Sequence, residues 1–490
     1  MEDEAVVCIL QFARRAFATE NVITCQGSSR NLLENFFEQR THACKSRPHF
    51  AGAGSVPDGN ECPGRTMTMQ RACQDQNRRL DGRSNGHQGK QKRRSTQRNS
   101  NPLQAAIREF LTTLAESSDD PIIQQPLPKR YTIFPPLLLL PANAFSIPKT
   151  WGSFYADRLD DQQRHHLYEI IVKAFSKAGV THLAVSAPIA LTDSHGNENR
   201  MRSPTGLIRL CGDFGLVPSD GESPTESDFE IALWVHTVQN HGIVQIWSPL
   251  YTMFSRGNIT EKARILDHTF EGLDSRSLQG EQVGDTSVVD MYAGIGYFVY
   301  SYLKRGVKRV WGWEINGWSV EGLRRGCIAN GWGCKVIGVN DRGELDISVR
   351  EFVDALRDTD RVVAFHGDNS FAPGILQQIR HAIEDGGNQW HSVRHVNLGL
   401  LPSSYLAWEG ACKMIDMQKG GWVHVHENVD IREIDRKKEN VTAELKQLRT
   451  RAREEASDRQ AKTIADCRHV EQVKTYAPGV IHCVFDIKLS

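Results

Sequence analysis

The hydrophobic rhythm of this chain divides it into three stretches. From about residue 262 onward, short β-branched and apolar runs alternate with segments whose apolar residues recur at helical spacing. The runs predict strands around Val288 and at 307–311, 336–339, 361–365, 393–397, 422–426, 470–476 and 480–487. The helical spacing predicts helices at 298–304, 319–329, 347–356, 375–383 and 405–417, with a long charged helix from 431 to about 467. Alternation of this kind folds as a doubly wound, mostly parallel sheet. The last two strands, joined by Ala477-Pro478-Gly479, are expected to form an antiparallel hairpin at its edge.

Before residue 262 the pattern is mixed. The run 131–140 reads as a buried strand interrupted by Pro135 and Pro136. Segment 162–177 has helical spacing through Leu167, Ile170, Ile171 and Phe175, and 181–186 alternates like a strand. Residues 207–210, 231–239 and 243–247 are strand-like and separated by Gly, Pro and Asn. This predicts a small α+β domain at 129–250, followed by the alternating domain at 251–490. The stretch 65–101 is rich in Gln, Arg, Asn, Ser and Gly and has almost no apolar periodicity, so burial cannot offset its ordering entropy. Residues 1–128 are therefore expected to be a largely disordered, low-complexity extension. Its basic cluster Lys90-Gln91-Lys92-Arg93-Arg94 reads as solvated charge before it reads as an RNA-binding or import arm.

Composition narrows the class. Hydrophobic residues at 39% and charged residues at 24% are ordinary for a globular protein. A formal net charge of +0 leaves no whole-chain field to draw nucleic acid, so RNA contact needs a local patch. The 11 cysteines include no C-x-x-C pair, which argues against a zinc knuckle. Their odd number, and the lack of a secretory apolar stretch after Met1, point to reduced thiols and a cytoplasmic protein. The longest apolar run, 134–141, is too short to span a bilayer.

The candidate chemistry sits at the ends of the predicted parallel strands, where ligands of such sheets bind. Asp290-Met291-Tyr292-Ala293-Gly294-Ile295-Gly296-Tyr297-Phe298 follows the first strand, and Glu314 ends the second. Glycines let backbone approach a ligand, and an acid at that tip can accept both ribose hydroxyls. The third glycine of the dinucleotide fingerprint is missing, which favours S-adenosylmethionine, a nucleoside without a phosphate to cradle. Gly367-Asp368-Asn369 and Asn397-Leu398-Gly399-Leu400-Leu401-Pro402-Ser403-Ser404 follow two later strands. The Asp-Asn pair suits an adenine amino edge, and the last tip, with its Ser hydroxyls, shapes the acceptor pocket. Each of these is also an ordinary turn composition; it is their order at successive tips that carries the reading. His424 and His426 share a strand face with Glu427 nearby, but no third ligand cluster accompanies them, so a hydrogen-bonded pair is expected rather than a metal site.

These tips, together with 251–262 (Tyr-Thr-Met-Phe-Ser-Arg-Gly-Asn-Ile-Thr-Glu-Lys), His424-Val425-His426-Glu427-Asn428 and Tyr476-Ala477-Pro478-Gly479, resemble the tRNA wybutosine-synthesising protein 2 family. The resemblance covers roughly 129–489 and includes Gly212-Asp213-Phe214-Gly215 in the smaller domain. It implies a class I methyltransferase-like (Rossmann-type) sheet and an aminocarboxypropyl transferase. Such an enzyme uses S-adenosylmethionine on the hypermodified guanosine 3′ of the anticodon of tRNA(Phe) and leaves methylthioadenosine. It implies cofactor contacts at Ser255, Lys262, Glu314, Asp368 and Asn369. Ser255 and Lys262 would take the methionine carboxylate, Glu314 the ribose, and Asp368 and Asn369 the adenine. No catalytic residue is assigned; Asp368 and Glu427 are both candidates for accepting the released proton.

Two positions depart from the pattern: Gly317 and Leu216 stand where proline is expected, which changes loop stiffness more than chemistry. Arg200, Arg202 and Arg209 in the smaller domain are candidate phosphate contacts. The alternatives are a tRNA guanine-37 N1-methyltransferase, whose fourth tip favours Asn-x-Pro, and a non-catalytic RNA-binding protein on a degenerate methyltransferase sheet.

Overall fold

The computed structural model describes residues 101–114, 121–186, 199, 206–215, 224–255, 258–456 and 462–490. They belong to one compact unit, Asn99–Ser490. The basic cluster at 90–94, Arg200, Arg202 and Leu216 lie outside the described residues.

Helix α1 (Pro102–Leu114) corrects the boundary expected at 129. Leu103, Ala106, Ile107, Phe110 and Leu111 form one helical face, and all are buried. The run at 131–140 is not one interrupted strand. Strands β1 (Thr132–Phe134) and β2 (Leu137–Leu140) pair antiparallel, with Phe134 opposite Leu137. Helices α2 (Lys149–Arg158) and α3 (Asp161–Ala174) follow. A reciprocal Asp160–Gln163 capping box starts α3. Strands β3 (His182–Val185) and β4 (Ile208–Cys211) complete a four-stranded sheet in the order β1-β2-β3-β4. The α1 face packs in one core with Leu167, Ile170 and Ile171 of α3.

The strand expected at 231–239 is shorter. Helix α4 (Glu226–Ile231), held by a Thr225–Asp228 capping box, takes its first residue, and β5 is confined to Val235–Val238. It pairs antiparallel with β6 (Val244–Trp247). Helix α5 (Ile259–Leu266) leads into the large domain.

The large domain continues with β7 (Thr286–Asp290), α6 (Val299–Lys304), β8 (Arg309–Glu314), α7 (Gly317–Ala329), β9 (Gly333–Gly338), α8 (Val349–Asp354), β10 (Asp360–His366), α9 (Ala372–Asp385), β11 (Ser392–Leu398), α10 (Trp408–Met414), β12 (Gly421–Asp430), α11 (Ile434–Glu455), β13 (Ala465–Ala477) and β14 (Val480–Leu489). The eight strands run in the order β13-β14-β12-β11-β7-β8-β10-β9. β7 to β12 are mutually parallel, while β14 is antiparallel to both β12 and β13. The closing hairpin is therefore present, with β14 inserted between β12 and the edge strand β13. This is the doubly wound sheet expected from the pattern, with the class I methyltransferase-like form that the resemblance implies.

Burial on both faces explains the continuous apolar runs: every residue of β7 and of β11 is buried. Alternate residues serve opposite layers. Val288 and Val362 join a core with Ile265 of α5, Leu303 of α6 and Leu323 of α7. Their neighbours Val289 and Val363 join another with Phe352, Ile379 and Leu445 from α8, α9 and α11.

The long charged helix ends at Glu455, not near Cys467, which lies in β13. On this helix Arg449 is buried and donates to the carbonyls of Cys412 (2.8 Å), Ile415 (2.9 Å) and Asp416 (2.6 Å). It thereby satisfies the open carbonyl end of α10. Among the described residues no helix is long and apolar enough to cross a membrane.

Candidate functional site

Strand order reverses between β7 and its neighbours β11 and β8, and the turn after β7 is tied to both. The Met291 amide donates to the Asn397 carbonyl at 3.1 Å, and the Ala293 amide donates to the Trp313 carbonyl at 2.9 Å. Asp290, at the tip of β7, is wholly buried, and its Oδ1 accepts the Tyr292 amide at 3.3 Å. Burial, with a smaller push from Glu314, raises its carboxyl to about 7.

Of the five residues singled out in the sequence, Glu314, Asn369, Ser255 and Lys262 meet this turn, and Asp368 caps the short turn after β10. Glu314 accepts the Gly294 amide at 2.9 Å through Oε2 and the Asn316 amide at 2.8 Å through Oε1. The Gly367 amide donates to the Glu314 carbonyl at 3.0 Å, joining the β10 tip to the β8 tip. Asn369 Nδ2 donates to the Met291 carbonyl at 2.6 Å. Asp368 Oδ1 accepts the Ser370 amide at 2.9 Å. From the other side, the Ser255 amide donates to the Tyr297 hydroxyl at 3.1 Å, and that hydroxyl donates to the Met253 carbonyl.

The glycines also have a structural duty. Gly296 has φ +88°, and a Cβ there would come within 2.5 Å of the Tyr300 ring. At Gly294, with φ +53°, a Cβ would approach the Tyr297 ring to 2.9 Å. Both therefore serve a left-handed turn packed against two tyrosines. Gly317 opens α7 beneath an Asn316 cap, whose Oδ1 accepts the Trp318 amide at 3.0 Å.

Lys262, on α5, is 5% exposed. Its Nζ donates to Gln245 Oε1 at 2.9 Å and lies 5.5 Å from the Tyr297 ring centroid and 5.6 Å from that of Phe254. Among the described residues no carboxylate pairs with it. Burial alone lowers this amine to about 8. Its head thus meets one neutral hydrogen-bond partner and two aromatic faces.

At the fourth tip, Asn397 Oδ1 accepts the Tyr302 hydroxyl at 3.2 Å. Ser403 Oγ donates to Glu427 Oε1 at 2.6 Å, and Ser404 Oγ accepts Trp408 Nε1 at 3.1 Å. Lys437 Nζ pairs with Glu427 Oε2 at 2.8 Å. These serines thus fold their own loop, which leaves Tyr405 and Leu406 exposed beside it. His424 and His426 do not bond to each other: His424 lies between His395 and Asp486, and His426 Nδ1 is 3.0 Å from His482 Nε2. Tyr297 and Gln245 were not singled out in the sequence. An aromatic residue after a glycine turn reads as core, and Gln245 sits on a strand of the smaller domain.

No family model matches the chain. The chain is similar to tRNA wybutosine-synthesizing protein 2 of Schizosaccharomyces pombe, at 35% identity over 365 residues, 74% of this chain and 73% of that protein. It is also similar to the protein of the same name from Saccharomyces cerevisiae, at 31% identity over 388 residues and 74% of each chain. Among solved structures it is similar to Pyrococcus horikoshii TYW2 in complex with MeSAdo, at 17% identity and TM-score 0.44, covering 79% of this chain and 98% of that one.

Proposed function

The chain belongs to the tRNA wybutosine-synthesizing protein 2 family, and from that premise we propose that its acceptor is the tricyclic guanosine at position 37 of tRNA(Phe) and that Lys262 selects the group transferred. It is a transferase of wybutosine synthesis that uses S-adenosylmethionine as donor of the 3-amino-3-carboxypropyl group. The observation that supports the role of Lys262 is its buried ammonium, which has no carboxylate partner among the described residues and stands against the aromatic residue of the glycine turn.

When bound, the donor supplies a sulfonium that activates its γ-carbon toward displacement. Lys262 and the Ser255 hydroxyl hold the methionine carboxylate, so the γ-carbon rather than the methyl faces the acceptor. Glu314 accepts the ribose hydroxyls. Asp368 and Asn369 take the adenine edge. A carbon of the acceptor's added ring forms the new bond as the sulfur–carbon bond breaks, methylthioadenosine departs, and the acceptor carbon loses its proton. The chief contribution of the site is alignment, which can supply several kcal/mol of the barrier. We assign tRNA contact to the smaller domain, where Arg209 is exposed, and a cytoplasmic location to the protein.

A dual-label transfer assay on hypomodified tRNA(Phe) tests the reading. Label from the donor carboxyl carbon should enter the RNA, and label from its methyl should leave with methylthioadenosine. Methyl label in the RNA would instead mark a methyltransferase, and calorimetry without binding heat for S-adenosylmethionine would mark a degenerate sheet.

A further inference from the structure

The face of α5 next to Lys262 carries a buried chain of charges. Glu261, 2% exposed, receives Arg264 Nε at 2.8 Å and Nη2 at 2.6 Å. The same guanidinium donates Nη1 to Asp486 Oδ2 at 2.5 Å and Nη2 to Asp486 Oδ1 at 3.2 Å. Asp486 Oδ1 also lies 2.6 Å from His424 Nδ1. His424 Nε2 is 2.9 Å from His395 Nδ1, and His395 Nε2 is 2.9 Å from the Gly272 carbonyl. Register places these groups in the site's own row: Asp290 is opposite Asn397, Asn397 opposite His424, and His424 opposite Asp486.

The proton positions follow from the far end. A carbonyl can only accept, so His395 Nε2 donates to Gly272. Burial and the neighbouring His424 hold His395 well below its ordinary range, so it is neutral and its Nδ1 accepts. His424 Nε2 must then donate. Its Nδ1 faces the Asp486 carboxylate. Burial would raise the Asp486 carboxyl, but His424 and Arg264 outweigh it and hold it well below the usual range. Acidic and basic side chains thus alternate as Glu261, Arg264, Asp486 and His424, from α5 across β14 to β12. Such a buried set holds its geometry only when complete, because loss of one member leaves an uncompensated charge.

We infer that Arg264, Asp486 and His424 are positioning residues for Lys262. They seat α5 on β14 and β12 through Glu261, the residue before Lys262, and so fix where its ammonium stands. Among the described residues the Lys262 head has one hydrogen-bond partner, the neutral Gln245, and two aromatic neighbours, so no ion pair fixes it and its placement depends on the seat of the helix.

This inference rests on Lys262 holding the methionine carboxylate, and the test separates the two claims. Calorimetry would compare S-adenosylmethionine with its decarboxylated analogue. Wild type should favour the carboxylated ligand, and Lys262→Met should abolish that preference; a preference surviving in Lys262→Met would sink the carboxylate assignment itself. Asp486→Asn should cut the preference about tenfold while leaving the analogue's Kd within about twofold. Asp486→Asn added to Lys262→Met should cost nothing further in preference. Equal weakening of both ligands in Asp486→Asn, or no change in either, would overturn the positioning role. If Asp486→Asn does not fold, Arg264→Lys, which keeps the charge and loses the fork, carries the same comparison.

Discussion

Glu314 Oε2 accepts the Gly294 amide at 2.9 Å, so the carboxylate that ends β8 holds the glycine turn that follows β7. Its other oxygen accepts the Asn316 amide at 2.8 Å. An ionised carboxylate offers about four lone-pair sites, so these bonds are compatible with ribose hydroxyls donating to the same group. One side chain can therefore both shape the turn and read the sugar.

Glu314→Ala should weaken S-adenosylmethionine binding by about tenfold or more, because hydrogen bonds to a charged group are worth about 1.5–3 kcal/mol. Calorimetry against the 2′,3′-dideoxy analogue distinguishes the two duties. The variant should lose much less affinity for the dideoxy ligand. Matching losses for both ligands would leave Glu314 as a loop support alone.

Gly296→Ala should destabilise the protein markedly. The backbone at φ +88° costs about 1–3 kcal/mol for a residue with a Cβ. The new methyl would also fall within 2.5 Å of the Tyr300 ring, which is held in place by its own hydroxyl bond to the Leu323 carbonyl at 3.0 Å. Thermal melting should show a clear fall in Tm. An unchanged Tm would mean that the turn has another conformation available.

The parts of this fold that the sequence shows are those set by local pattern. The parallel strands announce themselves because both faces are buried, so Val288-Val289 and Val362-Val363 read as apolar pairs. The face of α1 was equally periodic, but the polar composition just before it drew the boundary too far along the chain. At 231–239 the Thr225–Asp228 capping box marks a helix whose last residue, Ile231, opens the apolar run, so the run alone misplaces the start of the strand. What local pattern cannot show is partnership across the sheet. His424 meets Asp486 from 62 residues away, and Lys262 meets Gln245 from the smaller domain. Pairings of that kind depend on the order in which strands assemble, which no periodicity encodes.

Asn369→Ala removes the 2.6 Å bond to the Met291 carbonyl, which ties the tip after β10 to the tip of β7. The loss should be about 1 kcal/mol of stability. Binding should suffer more than stability, since both tips flank the proposed adenine site. Melting curves and S-adenosylmethionine titrations on one preparation give both numbers. Unchanged affinity with a lowered Tm would confine Asn369 to holding the two tips together.

As a member of the proposed donor site, Lys262 should make donor binding sensitive to pH. Burial lowers the amine from its ordinary 10.5 to about 8. Between those two values the unfolded chain binds more protons than the folded one, so stability of the ligand-free protein rises with pH across this window. Below pH 8 the penalty of burying the ammonium is fully present, on the order of 3 kcal/mol at 1.36 kcal/mol per unit. Lys262→Met should therefore raise the ligand-free Tm at pH 7 and flatten the rise seen in wild type. Binding should respond in the opposite sense. Only the protonated amine pairs with a carboxylate, so wild-type affinity for S-adenosylmethionine should hold below pH 8 and fall by up to about tenfold per unit above it. The donor's own amino group titrates equally in both proteins, so the difference between the wild-type and Lys262→Met curves isolates the lysine. A difference that stays flat from pH 6.5 to 9.5 would place the carboxylate on another group.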